Sequence, residues 1–284
     1  MTNENNAQPA VGDVVRSVLP YLLAKKSKLA GTVSIQETDS GLKFAIYTPP
    51  DYDSSLDNFP ILYHLHGAGM FWSWVHKELH WIAAAHEQAV QHGQTRPMVI
   101  VSPYDASKFS MWADSMDESN KMASALHDDL IPYVEQNYKI IGDRASRFIQ
   151  GFSMGGFGAA SHAFRHQDLF AAVVVWDGAM HNWATITATR PSIVTNQFAD
   201  SETAFNKWSP WAAAEQADLS LTPIIIVSGL MVDFAERYTA FLEGLGAQVT
   251  LYREDCLHDM KCLEATRGQA AFAFFGEMMA RQYA

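Results

Sequence analysis

Short runs of apolar, often β-branched residues recur along most of the chain, and longer segments with helical spacing separate them. Continuous apolar runs of this kind are typical of strands that helices cover on both faces. The predicted strands lie at 60–65, 98–102, 147–150, 171–176, 223–228 and 248–253, and the predicted helices lie near 75–92, 118–138, 154–166, 233–245 and 260–281. Repeated strand–helix units predict an α/β fold with a mostly parallel central sheet flanked by helices.

Three segments depart from this alternation. Residues 1–30 contain apolar positions at roughly helical spacing and a proline, which predicts a helical or irregular N-terminal arm. Two strand-like runs at 32–37 and 42–48 flank a short turn signal and predict an antiparallel pair. Segment 178–221 has no clear strand and is rich in Trp, Thr and Ala, so we expect a cap-like insertion that is helical in part. No linker or repeat divides the remainder, and residues 31–284 are expected to form one domain.

The composition narrows the class of protein. With 284 residues, of which 48% are hydrophobic, the chain can bury a substantial core. Its net charge of −11 argues against nucleic acid or an anionic membrane as the partner. No apolar run approaches the roughly 18 residues that a bilayer span needs, and residues 1–12 lack the features of a signal peptide. We therefore expect a cytoplasmic protein, and the sequence leaves a homo-oligomer open.

Two cysteines, at positions 256 and 262, give no disulfide framework and are expected to be free thiols in a reducing compartment.

The sequence G-F-S-M-G at 151–155 carries the most specific chemical signal. A strand-like run enters it and a helix of small residues leaves it, which is the context of the G-x-S-x-G nucleophile elbow. The turn from strand to helix is so tight that side chains two positions before and after the serine would collide, so Gly151 and Gly155 are required. Ser153 is therefore the predicted nucleophile, and the start of the next helix offers N–H groups to an anion.

A serine hydroxyl needs a base, and the base needs an acid partner. His258 follows the last predicted strand and is the predicted base, and Asp233 follows the preceding strand and is the favoured acid. Asp177, at the end of the strand at 171–176, is a rival for the acid position. Glu254 and Asp255 are weaker candidates, because they lie too near His258 in sequence to face its ring.

Two backbone N–H groups are predicted to stabilise a developing oxyanion. Met154 follows the nucleophile, and Ala68 lies in the loop H-L-H-G-A-G at 64–69 that follows the strand at 60–65. Glycine on both sides of Ala68 lets the backbone turn inward and leaves room for a substrate.

Aromatic residues near these motifs predict an apolar pocket wall, with Trp72, Phe152 and Trp176 as the candidate substrate-binding residues. The insertion at 178–221 is expected to cover the same edge of the sheet.

Several His and Cys groupings resemble metal sites. The spacing around His76 and His80 matches neither zincin pattern, and a zinc site near Cys256 would consume the histidine that Ser153 requires. No metal is therefore expected.

The chain resembles the esterase D branch of α/β hydrolases, which includes S-formylglutathione hydrolases, feruloyl-esterase-like enzymes and mycolyltransferases. The matching segments are YTPPDY at 47–52, PILYHLHG at 60–67, GFSMGGFG at 151–158 and HQDLFAAVV at 166–174. This resemblance implies hydrolysis of a small-molecule ester or thioester through an acyl-enzyme, without a metal or organic cofactor. An acyltransferase using the same residues and a catalytically silent binding module are the two alternatives.

Overall fold

A computed structural model describes residues 28–282 of the chain. The predicted N-terminal arm at 1–30 lies outside the described residues except for its last three positions. None of the described helices combines the length and the apolar character that crossing a bilayer requires.

One sheet of eight strands organises the described residues, in the order β1-β2-β4-β3-β5-β6-β7-β8. The strands are β1 (Thr32–Glu37), β2 (Lys43–Thr48), β3 (Ile61–Leu65), β4 (Val99–Pro103), β5 (Arg147–Phe152), β6 (Val173–Trp176), β7 (Ile224–Ser228) and β8 (Val249–Arg253). β1 and β2 pair antiparallel, β2 pairs antiparallel with β4, and all other neighbours are parallel. The predicted α/β fold with a mostly parallel sheet is confirmed.

Helices fill the connections between the strands. They are α1 (Trp72–Gln91), α2 (Met122–Ser124), α3 (Ile131–Asn137), α4 (Met154–Arg165), α5 (Trp183–Thr189), α6 (Pro191–Phe198), α7 (Glu202–Asn206), α8 (Pro210–Gln216), α9 (Val232–Gly244) and α10 (Met260–Gln282). A π-helical turn, Ala125–Leu130, joins α2 to α3, and a 3₁₀ turn, Arg144–Ser146, precedes β5.

The two faces of the sheet carry separate apolar cores. Successive side chains of a strand point to opposite faces, so Ile149 of β5 belongs to one core and Phe148 to the other. Both β3 and β5 are buried along their whole length. Burial of each large apolar side chain stabilises the fold by about 1.5–3 kcal/mol. Because both faces of these strands are buried, nearly every position is apolar, and the strands appear in the sequence as continuous apolar runs.

The segment between β6 and β7 holds the four helices α5 to α8 and no strand, as the sequence predicted. Its apolar side chains enter the same core as the helix that follows Ser153. The ring of Phe205 lies 5.8 Å from that of Phe157 on α4. The Tyr238 hydroxyl of α9 donates a hydrogen bond to the Pro210 carbonyl at 3.0 Å. These contacts attach the insertion to α4 and α9.

A buried carboxyl pair lies where α1 packs against α10. Glu264 is 4% exposed, and neither of its carboxyl oxygens has a hydrogen-bond partner within the described residues. Glu78 is also buried, and its Oε2 lies 3.1 Å from His64 Nε2. Burial, together with the nearby charge of Glu78, raises the pKa of Glu264 to about 8. Glu264 is therefore protonated at neutral pH.

The protonated Glu264 makes stability fall as the pH rises. Between pH 4.5, the ordinary pKa of a glutamate, and about 8, the unfolded chain has released a proton that the folded chain retains. The free energy of unfolding then decreases by up to about 1.4 kcal/mol for each pH unit. We predict that Glu264→Gln raises the thermal midpoint relative to the wild type at about pH 8.5 and leaves it nearly unchanged at about pH 4.5.

Glu277→Gln is the matched control, because Glu277 lies exposed on the same helix. Differential scanning calorimetry across this pH range measures all three proteins. A Glu264→Gln variant whose difference from the wild type does not change with pH would contradict the assignment.

Candidate active site

The turn between β5 and α4 holds Ser153 in a backbone conformation that side chains rarely adopt, with φ 55° and ψ −115°. A Cβ atom on Gly151 would lie 2.1 Å from the Gly155 carbonyl oxygen, and one on Gly155 would lie 1.8 Å from the Leu65 carbonyl oxygen. Both positions therefore require glycine, as the motif predicted. The strain at Ser153 is of the order of 1–3 kcal/mol, and the surrounding packing sustains it.

Three side chains from distant parts of the chain meet at this turn. Ser153 Oγ lies 2.8 Å from His258 Nε2, and His258 Nδ1 lies 2.6 Å from Asp177 Oδ2. Ser153 follows β5, Asp177 follows β6, and His258 lies in the loop between β8 and α10. All three lie beyond the carboxyl ends of parallel strands, where catalytic groups of open α/β sheets collect.

Asp177 is fully buried but remains an anion. Its Oδ1 accepts hydrogen bonds from the N–H groups of Gly229 and Met231, both at 2.8 Å, and from the Ser228 hydroxyl at 3.1 Å. Burial alone would raise the pKa of Asp177. The hydrogen bonds from His258 and from the two backbone N–H groups outweigh this effect and lower the pKa below its ordinary value. The carboxylate therefore accepts the Nδ1 proton of His258, and Nε2 offers a lone pair to Ser153.

Asp233, the favoured acid, does not reach His258, and that prediction is wrong. Its side chain is exposed in the first turn of α9, and its carbonyl accepts a hydrogen bond from Arg237 Nε. The reason is the loop after β7, which turns back over Asp177 before the helix begins at Val232. The rival Asp177 occupies the acid position. Glu254 forms an ion pair with Arg267 instead of facing His258.

The loop that carries His258 is closed by a disulfide between Cys256 and Cys262. The expectation of free thiols is therefore wrong: both cysteines are buried and lie close enough to bond, on either side of the histidine. The Glu254 N–H donates to the Ser228 carbonyl at 2.7 Å, which holds the start of the loop against the end of β7. The ring of His258 stacks on Phe152 with centroids 4.5 Å apart. These contacts limit the positions that the imidazole can take.

The backbone around Ala68 is oriented by a buried histidine. The Asp105 N–H donates to His66 Nε2 at 3.0 Å, so the proton of this ring lies on Nδ1, which donates to the Gly67 carbonyl at 2.8 Å. In a planar trans peptide the carbonyl and the next N–H point in opposite directions. By holding the Gly67 carbonyl, His66 also fixes the direction of the Ala68 N–H.

The loop of Ala68 lies directly beside the serine. A Cβ on Gly67 would lie 3.3 Å from the Ser153 Cβ, and the Gly69 N–H donates to the Lys108 carbonyl at 2.8 Å. The backbone N–H groups of Ala68 and Met154 have no acceptor among the described residues. No role was assigned to His66 from the sequence. The signal for its positioning role was its place directly before Gly67 in the loop of Ala68.

The three predicted substrate-binding residues have different environments. Phe152 lies at the site, against the His258 ring. Trp72 is partly buried, and its ring lies 5.4 Å from Tyr104. Trp176 is fully buried, and its Nε1 donates to Gln150 Oε1 at 3.0 Å. It cannot contact a substrate, so this prediction is wrong: the alternation of β6 directs the side chain into the core.

Four large apolar side chains around the site are more than half exposed: Phe71, Phe109, Leu230 and Leu257. Each is close to a residue of the site. Leu257 precedes His258, Leu230 lies between the two residues whose N–H groups bind Asp177, and the other two lie beside the loop of Ala68. We call these four residues the apolar rim. Exposed apolar side chains near a reactive group are typical of a binding site for an apolar ligand.

The disulfide gives a prediction that does not depend on the reaction. The protein purified without reductant should show no free thiol after unfolding and two after reduction, by thiol titration. Because the bond closes the loop in the unfolded chain, reduction should lower the free energy of unfolding by about 2 kcal/mol. It should also speed hydrogen exchange at residues 254–260. The Cys256→Ser, Cys262→Ser double variant should not respond to reductant, and two free thiols in the unreduced wild type would contradict the bond.

A family model matches most of the chain. The model Esterase, described as "Putative esterase", matches residues 35–250. The chain is 27% identical over 129 residues to "Esterase Rv1288" of Mycobacterium tuberculosis, a match that spans 45% of this chain and 27% of that protein. It is 23% identical over 135 residues to an endo-1,4-beta-xylanase/feruloyl esterase of Xylanibacter ruminicola, spanning 44% of this chain and 18% of that protein. The match thus covers about a quarter or less of these curated relatives.

Solved structures share the fold over nearly the whole chain. A ferulic acid esterase has a TM-score of 0.72 at 21% identity, with 87% of this chain and 98% of that chain covered. An S-formylglutathione hydrolase from Agrobacterium tumefaciens has a TM-score of 0.68 at 15% identity, with 90% of this chain and 99% of that chain covered.

Proposed function

The chain belongs to the Esterase family, and on that premise we propose that it is a serine hydrolase that cleaves carboxylic esters through an acyl-enzyme. The observation that carries the proposal is the continuous hydrogen-bonded relay from Ser153 through His258 to Asp177. A relay of hydroxyl, imidazole and buried carboxylate is the arrangement that activates a serine for acyl transfer. An acyltransferase would use the same relay, with an alcohol or amine acceptor in place of water.

In the first half of the reaction, Ser153 Oγ attacks the ester carbonyl while His258 Nε2 takes the hydroxyl proton. Asp177 holds the imidazole in the required tautomer and stabilises the imidazolium that forms. The tetrahedral intermediate collapses when His258 returns the proton to the leaving alcohol. Water then attacks the acyl-enzyme by the same steps, and the acid product leaves.

The negative charge on the intermediate is stabilised by the N–H groups of Ala68 and Met154. Both groups are available, and His66 orients the first of them in advance. A preoriented donor costs no reorganisation when charge develops, and the loss of one such donor typically costs about 3–4 kcal/mol of transition-state stabilisation.

The apolar rim, together with Phe152 and Trp72, supports an apolar or aromatic substrate. These side chains offer large apolar area near the serine, and the Lys108 ammonium lies 4.0 Å from the ring centroid of Phe71. The ferulic acid and feruloyl esterases that the chain resembles are named for an aromatic acyl group, which agrees with this inference. A thioester with the same acyl group is the second substrate type, because the attacked carbonyl and the oxyanion are the same.

The proposed partner is therefore a small-molecule ester rather than nucleic acid or a membrane. The cytoplasmic location expected from the sequence stays a prediction. The disulfide at Cys256 speaks against it, because reducing compartments keep thiols reduced. The oligomeric state also stays open.

Removal of the nucleophile tests the proposal. With nitrophenyl esters of aliphatic and aromatic acids, Ser153→Ala should lower kcat/KM by about 10³-fold or more and should abolish labelling by a fluorophosphonate probe. Ser161→Ala is the matched control, since Ser161 lies buried on α4, its hydroxyl has no partner within the described residues, and the variant should keep full activity. Products analysed with and without an added alcohol separate hydrolysis from acyl transfer. Failure of the folded wild type to react with the probe would support a silent binding module instead.

The acid partner is tested by a pair of matched substitutions. Asp177→Asn removes the anion that holds His258 and should lower kcat by about 10²–10⁴-fold. Asp233→Asn changes an exposed carboxylate outside the relay and should alter kcat by less than about twofold. Circular dichroism confirms that both variants fold. The opposite order of effects would restore Asp233 as the acid.

A further inference from the structure

Three histidine side chains come together where the end of α4 meets the π-helical turn. His127 Nε2 lies 2.9 Å from His162 Nδ1, and the ring centroids of His127 and His166 are 4.0 Å apart. One ring nitrogen of each residue lies within 4.8 Å of those of the other two. The proposed reaction uses none of these residues, since they lie at the opposite end of the helix that begins after Ser153.

The tautomer of His162 is set by its surroundings. Its Nε2 lies 2.8 Å from the carbonyl oxygen of Trp112, and a carbonyl oxygen only accepts, so Nε2 carries the proton. The lone pair of His162 is therefore on Nδ1, where it accepts a hydrogen bond from His127 Nε2, and metal binding would move the His127 proton to its Nδ1, which is unpartnered among the described residues. A ring N–H that donates to a backbone carbonyl is the usual outer contact of a metal-bound histidine.

The cluster does not satisfy its own hydrogen-bonding groups. His127 Nδ1 is buried and has no partner within the described residues. A histidine binds a metal ion through the lone pair of its neutral ring.

We propose that His127, His162 and His166 bind one divalent transition-metal ion, with Zn²⁺ as the best match. Neutral imidazole suits Zn²⁺, Ni²⁺ and Cu²⁺, whereas Ca²⁺ and Mg²⁺ need oxygen ligands that this set does not offer. Three histidines leave the fourth tetrahedral position to water. The histidines at 162 and 166 are four residues apart near the end of α4, and His127 comes from the neighbouring turn. The ion would join α4 to the π-helical turn. This proposal replaces the expectation, made from the sequence, that no metal binds.

Direct metal binding tests the site. Chelator-treated protein should bind about one equivalent of Zn²⁺ in isothermal titration calorimetry and should give the visible spectrum of tetrahedral Co²⁺. His127→Gln and His166→Gln should each weaken binding by about tenfold or more, because each removes a ligand. These two positions are only partly buried, so the variants are expected to fold. His162 is left intact, since its burial and its bond to Trp112 support the fold.

His80→Gln is the matched control. His76 and His80 have the same spacing on α1, with ring centroids 5.0 Å apart, but they lie outside the cluster. Zn²⁺ should raise the thermal midpoint of the wild type and of His80→Gln by the same amount, and that of His166→Gln by less. Binding that is absent in the wild type, unchanged in both cluster variants, or lost in His80→Gln would overturn the proposal. Esterase activity is not the readout, so this result is independent of the proposed reaction.

Discussion

The strained turn at Ser153 is the constraint on which the rest of the site depends. A positive φ at a non-glycine residue persists only where the surroundings over-determine it. Here β5 and α4 are both buried, and α4 approaches the end of β3 so closely that position 155 tolerates no side chain. The same approach brings the loop of Ala68 beside the serine. Core packing and the placement of the reacting groups are therefore one arrangement, and relaxing the turn would separate the hydroxyl from both the imidazole and the N–H groups.

The alternation of continuous apolar runs with helical segments was sufficient to predict the fold. Strands that are covered on both faces are apolar throughout, so each strand ends where the apolar run ends. All eight predicted strands are present, with boundaries shifted by no more than two residues. Ser153 and His258 were also predictable, the first from a motif with a steric cause and the second from strand order. The 2.8 Å distance between Ser153 Oγ and His258 Nε2 depends on the packing of segments that are 105 residues apart. No local sequence pattern predicts this distance.

The acid partner shows where such reasoning stops. Asp177 and Asp233 both follow strands at the same edge of the sheet, so placement alone could not choose between them. The choice depends on the path of the loop after β7, whose N–H groups turn toward Asp177 and whose helix directs Asp233 to solvent. The contacts that orient His66 and that bring His127 to His162 are also non-local, since they join residues 39 and 35 positions apart. Their proximity follows from tertiary packing rather than from spacing in the sequence.

Two buried carboxyl groups show how the protein controls charge in its interior. Asp177 and Glu264 are both almost completely buried, and burial disfavours the ionised form of each. Asp177 receives hydrogen bonds from two backbone N–H groups, a hydroxyl and an imidazole, so its negative charge is compensated. In the part of the chain that the structure describes, Glu264 has no donor and lies near a second carboxyl group, so it keeps its proton. Burial depth does not distinguish the two groups. The two groups differ in the number of hydrogen-bond donors that they receive. The loop after β7 presents its N–H groups to Asp177 and so allows this carboxylate to remain an anion beside His258.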